Sequence, residues 1–153
     1  MLLTLENPVF QTFVLAAALI CLKPMLQGYV TVFRMMRAGG GCLNPEDAQK
    51  TFGNPNASPE QLDKNEYVNR SRRMHNNDTE NLPIYLVASF LFTVANPPLI
   101  LAQSLMYGYV ASRLLHLWAY GTAKQHEVRA TFFAIGSLIV VFMAIYSFIA
   151  ALP

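Results

Sequence analysis

Charge is scarce in this chain. Only 13% of its 153 residues are Asp, Glu, Lys or Arg, about half the share of an ordinary soluble domain. With 54% hydrophobic residues and a positive mean hydropathy, that scarcity argues against a soluble domain and predicts a membrane protein. Cysteine is scarcer still. The two present, Cys21 in an apolar run and Cys42 in a glycine-rich loop, make no disulfide framework, metal site or CxxC pair, and both are expected as free thiols. A net charge of +2 is too small an excess for nucleic acid binding. The N-terminus "MLLTLENPVF" has no basic stretch, and the apolar run after it is too long for a signal peptide, so it is expected to remain as a span. There is no internal repeat or low-complexity tract.

What is present is long apolar runs. Set against the roughly 20 residues needed to cross a bilayer, hydropathy predicts spans at about 9–33, 82–96, 98–121 and 130–152. The fold class is therefore all-α: an integral membrane four-helix bundle forming a single domain over 1–153, with helices at about 8–37, 66–95, 98–121 and 127–152. The run from Leu82 to Ala95 is too short to cross by itself, so its helix must include the polar stretch "RRMHNNDTENLP" (72–83). Residues of that kind face protein or water rather than lipid. The segment at about 38–65, rich in Gly, Pro, Asn and Asp, reads as a polar loop. Basic residues lie in the first and third connections and are missing from the second and from both termini, which predicts lumenal or periplasmic termini and a cytoplasmic long loop. Glycosylation of the Asn56-Ala57-Ser58 sequon would overturn that orientation.

Polar residues within the apolar helices fall in rows. Arg70, Arg73, Asn77 and Glu80 share one face of the second helix, and Arg113, His116 and Tyr120 share one face of the third. Arg113 lies within an apolar run and needs an anionic partner, for which Glu80 is the expected residue. A structural ion pair and ligand contact are both open to that pair. Arg129 falls in the first turn of the fourth helix, where guanidinium and helix N-terminus together would lower the pKa of a thiol from about 8.5; snorkelling to lipid phosphates is the alternative. Arg34 and Arg37 near the end of the first helix share that ambiguity. Lys23, beside Pro24, is deep and either lines a cavity or pairs with protein. A pocket of this kind, cationic and flanked by lipid, suits glutathione, with carboxylates for the arginines, an ammonium for Glu80 and a thiol for Arg129. An apolar co-substrate could then arrive sideways from the bilayer. No metal site is expected.

Four motifs occur in order: "NPEDA" (44–48), "VNRSRRMHNNDTENLP" (68–83), "RLLHLWAY" (113–120) and "VRATFF" (128–133). Over essentially its whole length the chain resembles the membrane-associated proteins in eicosanoid and glutathione metabolism. The second motif is similar to that family's VERxxRAHxNDxEN-P pattern. The resemblance implies a homotrimer of four-helix subunits that binds glutathione between neighbouring subunits on the cytoplasmic side. It also implies that Arg73, Asn77, Glu80, His116 and Tyr120 contact glutathione, with Arg113 beside them. Arg129 would stabilise the thiolate, Arg34 or Arg37 would reach it from the first helix, and Asp47 would sit near Arg129.

Departures from the pattern narrow the branch. Asn69 replaces a usual Glu, Met74 a usual Ala, and Asn76 an arginine of the prostaglandin E synthases. Ala130 and Phe133 stand where those synthases have Ser and Tyr, which favours the glutathione transferases. Ala48 replaces the thiol sensor of that branch, so activation by thiol modification is not expected. The expected activity is conjugation of glutathione to apolar electrophiles, with reduction of lipid hydroperoxides as a second reaction. The alternatives are a prostaglandin E synthase and a non-catalytic lipid-binding relative. The expected membrane is the endoplasmic reticulum, or a bacterial inner membrane if the source is prokaryotic.

Overall fold

Helix starts are written into the chain by asparagine. Asn7 accepts a hydrogen bond from the Val9 N–H at 2.9 Å, and Pro8 occupies a first-turn position whose N–H would have no partner. In the computed structural model, which describes residues 3–153, this start opens α1 (Pro8–Ala38), which ends at Gly39 in the left-handed region. Asn65 caps α2 (Glu66–Val94) in the same way, accepting from the Val68 N–H at 3.2 Å. Pro97 and Pro98 separate it from α3 (Leu99–Gly121), and α4 (His126–Ala150) follows a short polar turn. The α1–α2 connection holds two single turns of 3-10 helix, Pro45–Ala48 and Pro59–Leu62. The described residues contain no strand.

Short links make α2, α3 and α4 successively antiparallel, while α1 and α2 are joined by a long connection. α1 packs on α2 and α3, α4 packs on α3 and α2, and α2 meets α3 across the bundle, whereas α1 and α4 do not touch. α1 and α4 are long and apolar enough to cross a membrane on length and composition alone. α2 and α3, also expected as spans, do not reach that standard, because their inward faces carry polar and charged side chains.

The interior divides along the helix axes. Near the α2–α3 turn it is apolar, built from Ala16, Ile20, Phe92, Ala102, Met106 and Met143. There the Tyr85 and Tyr109 rings stack at 3.8 Å, and Phe92 meets Tyr146 edge-on at 5.0 Å. α4 approaches α3 closely at Gly136, where an added Cβ would lie 2.9 Å from Ser112 Oγ. The outer faces are apolar as well: Leu15, Leu22, Leu26, Leu138, Ile145 and Phe148 are all exposed. Such a surface suits lipid better than water. Towards the other end the interior becomes polar.

Candidate functional site

The buried stripe of α2 runs Val68, Ser71, Met74, Asp78, Leu82, Tyr85, so the helical repeat that buries the apolar residues also buries Asp78. Its carboxylate is fully inaccessible and forms ion pairs with Lys23 of α1 and Arg113 of α3. Arg113 Nε donates to Asp78 Oδ1 at 3.0 Å, and Nη2 donates to Asn77 Oδ1 at 2.6 Å as well as to Asp78. Arg113 does have an intramolecular anionic partner, but it is Asp78 and not Glu80. Two residues along an α-helix turn the side chain by about 200°, and Glu80 accordingly lies exposed on the far face.

A second group lies where α3 ends and α4 begins. The Arg129 guanidinium sits 4.7 Å over the Tyr120 ring, and Tyr120 lies 4.9 Å from the His116 ring. His116 is buried, and neither its Nδ1 nor Arg129 Nε has a hydrogen-bond partner. Buried polar atoms without partners are costly, and here they line a column leading from Arg129 inward. Arg34 approaches the same end: it is buried, donates to the Tyr67 carbonyl at 3.2 Å and stacks on that ring at 4.6 Å. An added Cβ on Gly121 would come within 3.8 Å of Arg34 Nη2. Arg37, one turn on, is exposed.

The remaining expected residues are not gathered within the subunit. Arg73 is exposed and pairs with Glu66 in the first turn of α2, and its hydrogen bond holds the Glu66 carboxyl below the usual carboxylate range. Asp47 is exposed in the loop, where it accepts from Asn44 Nδ2 at 3.2 Å, and no ion pair joins it to Arg129 among the described residues. Cys21 and Cys42 are free. Among the described residues no cluster of His, Cys, Asp or Glu could hold a metal.

Sequence reasoning misses Asp78 and leaves Lys23 open between cavity and pairing. The signal was available: stepping back four residues from Leu82 along the buried stripe reaches Asp78. It also missed Arg72, which donates to the Gly41 carbonyl at 2.5 Å and to Asn69 Oδ1 at 2.8 Å, fastening the start of the loop to α2.

The arrangement presents several cations at one end of a helical bundle with a single buried carboxylate among them. Known proteins are similar to this chain in sequence. The MAPEG family model matches residues 12–149. Microsomal glutathione S-transferase 1 of Sus scrofa is 31% identical over 141 residues, covering 92% of this chain and 89% of the pig protein. The proteins of the same name from Homo sapiens and Rattus norvegicus are 31% and 30% identical, with the same coverage. The chain therefore belongs to the MAPEG family.

Proposed function

We propose that this protein is a membrane-bound glutathione S-transferase. The observation that carries the reading is the Arg129–Tyr120–His116 column with its unpartnered Nε and Nδ1. Relatives named glutathione S-transferase support it. Glutathione fits the groups present: its carboxylates match Arg34 and Arg73, its ammonium Glu80, and its thiol Arg129.

Arg129 lies in the first turn of α4, so its charge and the helix dipole act together on a thiolate. Tyr120 holds the guanidinium by stacking, a contact that fixes its orientation without using its donors. The thiol proton leaves to solvent, the thiolate sulfur attacks an electrophilic carbon, and the leaving group departs with its electron pair. Positioning and electrostatic stabilisation are the protein's contributions, and the nucleophile belongs to glutathione. An apolar electrophile or lipid hydroperoxide would enter from the bilayer. Arg113, held by Asp78, acts as a positioning residue through its hydrogen bond to Asn77.

Exposure of Arg73, Glu80 and Asp47 supports a site completed by a second copy, in a homotrimer. Lumenal termini and an endoplasmic reticulum membrane accompany this reading.

Conjugation of glutathione to 1-chloro-2,4-dinitrobenzene by the purified protein tests it. We expect Arg129→Ala to lower kcat/KM about 10–100-fold, the loss of one charge-assisted hydrogen bond. Wild-type activity no higher than that of the variant sinks the proposal. Calorimetry showing no glutathione binding would leave the lipid-binding alternative.

A further inference from the structure

Asp78 has two carboxylate oxygens, and the subunit divides them. Lys23 Nζ of α1 donates to Oδ2, whereas Arg113 brings both Nε, at 3.0 Å, and Nη2 to Oδ1. An arginine alone with a carboxylate commonly closes on it fork to fork, with one N–H to each oxygen. Here the lysine holds the second oxygen, and the guanidinium is turned so that Nη2 also reaches Asn77 Oδ1 at 2.6 Å. All three ionised side chains are more than nine-tenths buried, at 5%, 0% and 1% exposure for Lys23, Asp78 and Arg113.

Stability does not account for the lysine. Two cations share one carboxylate, and Asp78 with Arg113 alone would already be a neutral pair. A buried ion pair replaced by apolar side chains of similar volume is often no less stable, and the space beside Lys23 is walled by leucines of α1 and α3, among which an apolar side chain would pack. An ionisable residue nevertheless stands at the midpoint of α1, where its burial in a membrane helix is costly. Its effect runs through Asp78 and Arg113 to Asn77. Arginine only donates, so Arg113 fixes which way the Asn77 amide points: Oδ1 towards the guanidinium and the two Nδ2 donors away from it.

We propose that Lys23 is a positioning residue for glutathione, acting through Asp78 and Arg113 on the Asn77 amide. The inference rests on the reading of this end as a glutathione site and adds to it a residue that does not touch the ligand. By holding Oδ2, Lys23 keeps Arg113 from closing on Asp78 as a fork, and Arg113 keeps the Asn77 amide set to donate to glutathione. Without the lysine, Arg113 closes on both oxygens, Nη2 swings away from Asn77, and the amide is free to turn its oxygen towards the anionic peptide.

The test combines glutathione calorimetry with steady-state conjugation of 1-chloro-2,4-dinitrobenzene, on the purified full chain in detergent. Lys23→Met should raise Kd and KM for glutathione about tenfold, the worth of one hydrogen bond to a charged group. Its kcat, and its KM for the electrophile, should stay within about twofold of wild type. Lys23→Arg returns a donor to Oδ2 and should bring glutathione back to within about threefold of wild type. In an Asn77→Ala background Lys23→Met should weaken glutathione no further, because the amide it sets is gone, whereas a merely structural lysine would add its full effect. Unchanged glutathione affinity in Lys23→Met overturns the proposal, as do additive losses in the double variant or a fall in kcat with KM unmoved. If Lys23→Met does not fold, Lys23→Leu is held to the same criteria, and failure of both to fold makes the lysine structural and overturns the proposal. A chain that shows these glutathione affinities but conjugates nothing refutes the transferase reading alone; a wild-type chain that binds no glutathione refutes both.

Discussion

The two ends of this bundle treat buried polar groups in opposite ways. At the apolar end, Thr12, Ser89 and Thr93 are buried, and each donates to a carbonyl of its own helix: Pro8 at 2.8 Å, Leu86 at 3.2 Å and Ser89 at 2.8 Å. At the polar end, Lys23, Asp78, Asn77 and Arg113 bond between helices. Among the described residues, the buried side-chain polar atoms without partners, on Gln27, Ser71, His75, His116 and Arg129, also lie at that end. One end is complete in itself, and the other holds donors and acceptors in reserve. Orphaned buried groups are expensive and are found where a ligand, water or partner satisfies them.

The largest test of this contrast is Asp78→Ala. It leaves two buried cations unpaired, and we expect a loss of about 3–5 kcal/mol in thermal or denaturant unfolding in detergent, with Lys23→Met in the same chain recovering part of it. A loss no greater than that of Ser89→Ala would break the contrast. Next comes Arg129→Ala, whose effect should fall on conjugation and not on unfolding, because its Nε bonds to nothing in the subunit. A destabilisation matching that of Asp78→Ala would make Arg129 a structural residue instead.

Gly136→Ala probes the packing of α3 on α4 with no charge involved. The added methyl meets Ser112 Oγ and the Tyr109 ring, so about 1–3 kcal/mol should be lost through overpacking. Adding Ser112→Ala should restore part of that. The smallest effect separates the ends most finely: Ser71→Ala, removing a hydroxyl with no partner, should be neutral or slightly stabilising, whereas Ser89→Ala should cost up to about 1 kcal/mol. Unfolding midpoints of the two single variants, measured side by side, decide it.

Much of the site was legible as residue types and little of it as pairings. The polar row on α3 predicted that Arg113 would sit inside and need an anion, which is what the structure contains. Glu80 is not the partner of Arg113 because the row Arg73–Asn77–Glu80 is not the inward face of α2: Arg73 and Glu80 are exposed. The inward face is set by where α1 and α3 pack, and the stripe Leu82–Tyr85–Phe92 carries that information back to Asp78. Helices long and apolar enough to cross a membrane were legible in α1 and α4, whose apolar residues continue around the helix. In α2 and α3 a longer window averages an apolar outer face with a polar inner one, so the runs at about 82–96 and 98–121 expected as spans fall short of that standard.

By itself the sequence determined the four helices, the asparagine starts of the first two and the family, because periodicity, capping and motif spacing act over a few residues and survive without tertiary contacts. Only the tertiary structure decided which carboxylate neutralises Arg113 and Lys23, why Gln27 is left without a partner, and which of the arginines face inward. Those outcomes depend on the rotation of each helix about its axis, which the packing of all four helices settles together.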